Sequence, residues 1–157
     1  MINNEGKEMI NDYAVQNEVF VGNRRYLFAI HKNDKEPQRF LKCQCYDDDL
    51  FRHYVNAVTS NDFVECMKLY MADIAAAVEQ IEKDRAAIGL EDISCLKGSD
   101  LLSASRDKNI EGKVVAIEEK WLFDGYKDIS HQLYFITGGN GSYANSRGNG
   151  CFCVNLY

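Results

Sequence analysis

The sequence predicts an α+β protein: N-terminal helices with a β-hairpin and one long amphipathic helix, followed by a small β-rich module. Three observations predict it. A helical apolar period runs through residues 61–88, two strand-like runs flank a polar break at 33–37, and Ser, Gly, Asp and Lys replace the helical period after Leu90. With 157 residues, 46% of them hydrophobic and 27% charged, the chain can bury a core without staples.

In chain order, Met9, Ile10, Tyr13, Ala14 and Asn17 have helical spacing and predict a first amphipathic helix over 5–18, before a short extended piece at Val19–Val21. Gly22-Asn23 marks a turn. Residues 25–32 and 38–46 are rich in strand formers and read as a hairpin across Asn33-Asp34-Lys35-Glu36-Pro37. Asp47-Asp48-Asp49 then resembles a helix start, with Phe51, Tyr54, Val55 and Val58 on one face, which predicts a short helix ending near Ser60. At 100° per residue, Phe63, Met67, Tyr70, Ile74, Val78, Ile81 and Ile88 keep to a stripe roughly 80° wide, capped by Ser60 or Asn61 and ended by Gly89. These elements form an expected module at 1–92. The second, 93–157, has strands expected at 113–117, 132–137 and 151–157, the last two joined by a loop with five glycines among residues 138–150.

No segment carries an established catalytic motif. The glycine loop lacks the Lys of a phosphate-binding P-loop, and Ala144 stands where a dinucleotide fingerprint needs glycine. It reads as a mobile or tight connection, or as a binding loop with Arg147 as an anion contact. Cys43-x-Cys45 and Cys151-x-Cys153 would bring four thiolates together if their strands were neighbours, yet C-x-C within a strand is poor zinc-knuckle geometry. The six cysteines are therefore expected as free thiols, without zinc, in a cytoplasmic protein that has neither a signal-peptide core nor an apolar span. His31, His53 and His131 lie in unrelated segments and show no metal-ligand spacing. No cofactor, metal or catalytic residue is expected.

The net charge is -6, which argues against direct nucleic-acid binding. It is unevenly spread: residues 1–60 carry nine acids and eight bases, 61–92 eight and three, and 93–157 seven of each. Five of the six excess negative charges thus belong to the long helix and its end. Asp62, Asp73 and Asp84 fall within about 40° of one another on a helical wheel, with Glu65 and Glu79 further round. They form either a solvated face or an acidic surface that docks on a basic partner.

Residues 8–85, in particular Glu8-Met9-Ile10-Asn11-Asp12-Tyr13-Ala14, Val21-Gly22-Asn23-Arg24 and Asp62–Leu69, resemble an accessory domain family of bacterial conjugative elements and prophages. The tail, with Gly112–Val115, Thr137–Gly141 and Asn145–Gly148, is similar to a second module of such proteins, although it stops sooner after its last strand. The resemblance implies a non-enzymatic accessory protein of a mobile element. In its sharpest form this is an anti-CRISPR inhibitor that binds a host nuclease, such as a CRISPR effector, by protein-protein contacts through Asp62, Glu65, Asp73, Glu79, Asp84 and Arg147. The alternatives are a small enzyme with a Cys, His or Arg site near the glycine loop, and a regulator of the element's transfer machinery.

Overall fold

A computed structural model describes residues 6–47, 51–90, 107–117, 133–148 and 150–157. The chain divides into two compact units, 1–78 and 79–157. The module boundary expected at 92/93 lies outside the described residues, and the division into units falls within the long helix.

Unit 1 is an antiparallel meander. Its strands are β1 (Met9–Ile10), β2 (Tyr13–Val21), β3 (Arg24–His31), β4 (Phe40–Asp47) and β5 (Arg52–Ser60), in spatial order β1-β2-β3-β4-β5. The sheet is curled into a half-barrel. Along β3 every residue from Arg25 to Ala29 is buried, and along β4 every residue from Leu41 to Cys45, so both central strands are covered on both faces. One face gathers Ile10, Leu27, Ala29, Leu41, Cys43 and Cys45, with Tyr13 and Val15 against them. The other carries Tyr26 and Phe28 and receives Cys66 and Tyr70 from α1 (Phe63–Ala87). Phe28 anchors that layer, with ring centroids 5.6 Å from Phe63, 5.9 Å from Tyr70 and 6.3 Å from Phe40.

The expected N-terminal helices are strands. The first fails at Asn11-Asp12. Ile10 pairs with Tyr13 across these two residues, and Asn11 holds φ 53, a left-handed conformation that Asn tolerates better than most residues. The second was inferred from Phe51, Tyr54, Val55 and Val58. It is β5, and a bulge explains its false period. Val58 pairs with Lys42 and Val55 with Gln44, so one extra residue lies on β5, where Asn56 holds φ 53. That insertion turns strand alternation into a spacing of three and one, which imitates a helix face. The architecture is therefore two antiparallel sheets with one α-helix among the described residues.

The helix itself stands close to its expected bounds, with local reasons at both ends. Asp62 Oδ1 accepts the amides of Val64 at 2.7 Å and Glu65 at 3.2 Å, which satisfies two of the free amides of the first turn, and Ser60 Oγ donates to Glu65 Oε2 at 2.6 Å beside them. At the other end the Leu90 amide reaches Arg85 O at 2.9 Å and the Gly89 amide reaches Ala86 O at 3.1 Å. With Gly89 at φ 70, this is a Schellman ending.

Unit 2 contains the end of α1 and a second antiparallel sheet in the order β6 (Val114–Ala116), β7 (Leu133–Gly138), β8 (Phe152–Asn155). Arg85 donates to Leu156 O through Nε at 2.8 Å and again through its terminal amino group, and Leu156 is fully buried.

Candidate functional site

On α1 the side chains that meet the sheet are Phe63, Cys66, Tyr70, Asp73 and Ala77, with Met67 and Ile74 at one margin. This face lies roughly 30° round the helix from the centre of the stripe read from the sequence. The rotation leaves Val78, a member of that stripe, exposed, and Phe63 only partly covered by the rings of Phe28 and Phe40. The exposed residues between Phe63 and Val78 are Phe63, Val64, Leu69, Met71, Ala72, Ala75, Ala76 and Val78, which are apolar, and Glu65 and Lys68, which are charged. Val64 is 56% exposed and Met71 55%. A helix packed on a sheet on one side ordinarily turns a polar face outward, and this one does not.

The six sequence-predicted partner-binding residues have different local surroundings. Asp62 is the helix cap, and Glu65 accepts the Ser60 hydroxyl beside it. Asp73 turns toward the sheet, where it pairs at 2.8 Å with the buried Lys42 and receives Gln44 Nε2 at 3.4 Å. Glu79 is exposed, whereas Asp84 is half-buried and accepts Gln80 Nε2 at 2.8 Å. Arg147 is exposed in the loop after β7. A helical wheel places carboxylates by angle alone and cannot register that Lys42, on a strand, would draw Asp73 inward.

That loop is built rather than loose. Gly141 N donates to Gly150 O at 2.8 Å, and Ser142, fully buried, donates to Gly139 O through its hydroxyl at 2.7 Å. A Cβ on Gly139 would lie 2.6 Å from Gly150 O, and one on Gly148 would lie 2.6 Å from Asn140 Cβ. The glycines thus serve close backbone approach, which holds Tyr143, Ala144, Asn145 and Arg147 outward at the tip.

A second charged cluster lies inside unit 1 and was not read from the sequence. Glu8 accepts from Arg25 on β3 at 2.5 Å, from Arg52 on β5 at 3.0 Å and from the Tyr54 hydroxyl at 3.1 Å. Arg25, 4% exposed, also donates to Glu18 at 2.7 Å, and Arg52 to Asp47 at 2.8 Å. Glu8 adjoins β1, and β1 and β5 are the two edges of the sheet, so this carboxylate ties one edge to the other. Burial pushes the Glu8 carboxyl up, but the hydrogen bond and charge of Arg25, joined by Arg52 and Tyr54, more than reverse it and hold it below the ordinary value of 4.5. The partners lie 17, 44 and 46 residues from Glu8, separations at which no local pattern could have linked them.

The thiols of β4 are chemically quiet. Burial pushes Cys43 up to about 12 and Cys45 up to about 11, so neither is a thiolate near neutral pH. β4 neighbours β3 and β5, and β8 neighbours β7, so the two C-x-C strands do not pair. No helix among the described residues is long and apolar enough to cross a membrane. No protein-family model, curated protein or solved structure matches this chain.

Proposed function

We propose that this protein acts by binding another protein, with the outward side of α1 as its binding element. One observation carries the reading: of the nine exposed residues from Val64 to Val78, seven are apolar, on the side of the helix turned away from its own sheet. An apolar surface of this kind gains by being covered, at about 25 cal/mol for each Å² removed from water. The resemblance to accessory domains of mobile elements supplies the class of partner, a host nuclease. The net charge of -6 suits a basic nucleic-acid channel. Leu69, Ala72 and Ala76, with Glu65 and Glu79, make up the strip of α1 with both apolar area and exposed carboxylates. Binding by occupancy requires about one copy per site and no turnover.

A DNA-cleavage assay with a purified CRISPR nuclease tests this. The protein should inhibit at near-equimolar ratio, and Leu69→Lys with Ala76→Lys should melt like the wild type while inhibition falls at least tenfold. Cleavage that persists at large excess of the wild type rules out that class of partner. Equal inhibition by variant and wild type removes α1 as the binding element.

A further inference from the structure

The geometry points to a second copy of this chain as the occupant of one strip of α1, through antiparallel pairing of the two helices. The inference rests on the reading of α1 as a docking element and names the occupant of its flank. Val64, Met67, Met71, Ile74, Val78 and Ile81 follow one another at alternating intervals of three and four, the repeat of a coiled-coil seam. It shares Met67 and Ile74 with the margin of the face that meets the sheet, whose centre runs through Cys66, Tyr70, Asp73 and Ala77. The seam is centred roughly 100° round the helix from those four residues. Met67, Ile74 and Ile81 are half-buried, while Val64, Met71 and Val78 project into solvent, so the seam has one covered row and one bare row. A helix beside α1 would cover the bare row.

Charge selects both the orientation and the register. Lys68 and Glu82 are both exposed and occupy the same flanking position of the repeat, fourteen residues apart. In a parallel pair each would face Phe63 or Ala77 of the other copy, and no ion pair forms. In an antiparallel pair centred near Ala76, Lys68 faces the partner's Glu82 at one end and Glu82 faces the partner's Lys68 at the other. Met71 then lies level with the partner's Ile81, Ile74 with the partner's Val78, and Ala75 with the partner's Ala75, where small side chains permit close approach. A shift of one heptad keeps apolar layers but separates both ion pairs. The strip with Leu69, Ala72, Ala76, Glu65 and Glu79 stays open in this dimer.

Sedimentation equilibrium of the full chain gives the test. The wild type should be a dimer at about 100 μM. Lys68→Glu alone and Glu82→Lys alone set like charges opposite each other twice per dimer, and each should weaken association by roughly tenfold, the effect of about 1.4 kcal/mol. The double exchange, Lys68→Glu with Glu82→Lys, restores both pairs and should recover wild-type affinity, which no loss of folding could imitate. A wild-type monomer at about 100 μM, or a double exchange no tighter than the single variants, overturns self-pairing. If such a monomer still inhibits a nuclease in a manner that depends on Leu69 and Ala76, α1 stands as a docking element with a helix of another protein on its flank. If those variants also inhibit unchanged, both readings fall.

Discussion

Arg25 is the residue on which the curled sheet most depends electrostatically. Its guanidinium is 4% exposed and lies between Glu8 and Glu18, so its removal strands buried negative charge. Glu8 keeps Arg52 and Tyr54, and Glu18 is exposed enough to recruit water, which places Arg25→Met at the low end of the range for broken buried pairs, about 3 kcal/mol by chemical denaturation. The sign of the pH dependence follows from Glu8. Its folded value is depressed, so its stabilisation is complete above the ordinary value of 4.5 and is lost as the pH falls through the folded value. The melting temperature of the wild type should therefore drop more steeply below pH 4.5 than that of Glu8→Gln. Parallel curves would show that the carboxylate is not held by its neighbours. At the same scale, Cys43, Cys45 and Cys66 are buried thiols and Cys153 is an exposed one. Brief alkylation of the native protein followed by peptide mapping should modify Cys153 and spare those three. That Cys43 and Cys45 would be packing residues was legible from their strand context. The Glu8 network was not, because its members meet only after five strands have curled.

At the scale of elements, the sequence carried correct information about the β3–β4 hairpin, α1 and the three strands of unit 2, since each has the composition of its element. It misled at β2 and β5, where bulges at Val15/Asn17 and Lys42/Gln44 break the alternation of two. An inserted residue changes a strand's period without changing its composition, and the β-branched residues of β5, Val55, Val58 and Thr59, were the better guide. α1 was found but rotated, because periodicity measures where apolar residues lie and not which of them face the sheet. Ile74 packs against the Tyr26 and Phe28 layer while half-buried, so Ile74→Ala should cost about 2 kcal/mol, near the lower limit for such truncations. A variant that melts like the wild type would mean the helix is not seated there. Gly139, at φ 102, tests the loop: Gly139→Ala combines backbone strain with a 2.6 Å approach to Gly150 O and should destabilise unit 2 by on the order of 2 kcal/mol, whereas Arg147→Ala at the exposed tip should leave melting unchanged.

At the scale of the molecule, a curled, charge-tied sheet carries α1 with one side spent on its own core and the other exposed. The acidic face expected from the sequence is divided in the fold, because Asp62 is committed to the cap and Asp73 to Lys42. What remains outward on α1 is mainly apolar, the property on which the proposed function rests. Hydroxyl-radical footprinting of the chain, alone and with an excess of CRISPR nuclease, tests this most directly. Leu69 on α1 competes in one experiment with Tyr143 at the loop tip and Phe152 on β8, all of them exposed. Labelling of Leu69 should fall severalfold in the complex while Tyr143 and Phe152 keep their rates. Unchanged labelling of Leu69, with protection at Tyr143 instead, would contradict this and move the binding surface to the loop that carries Arg147.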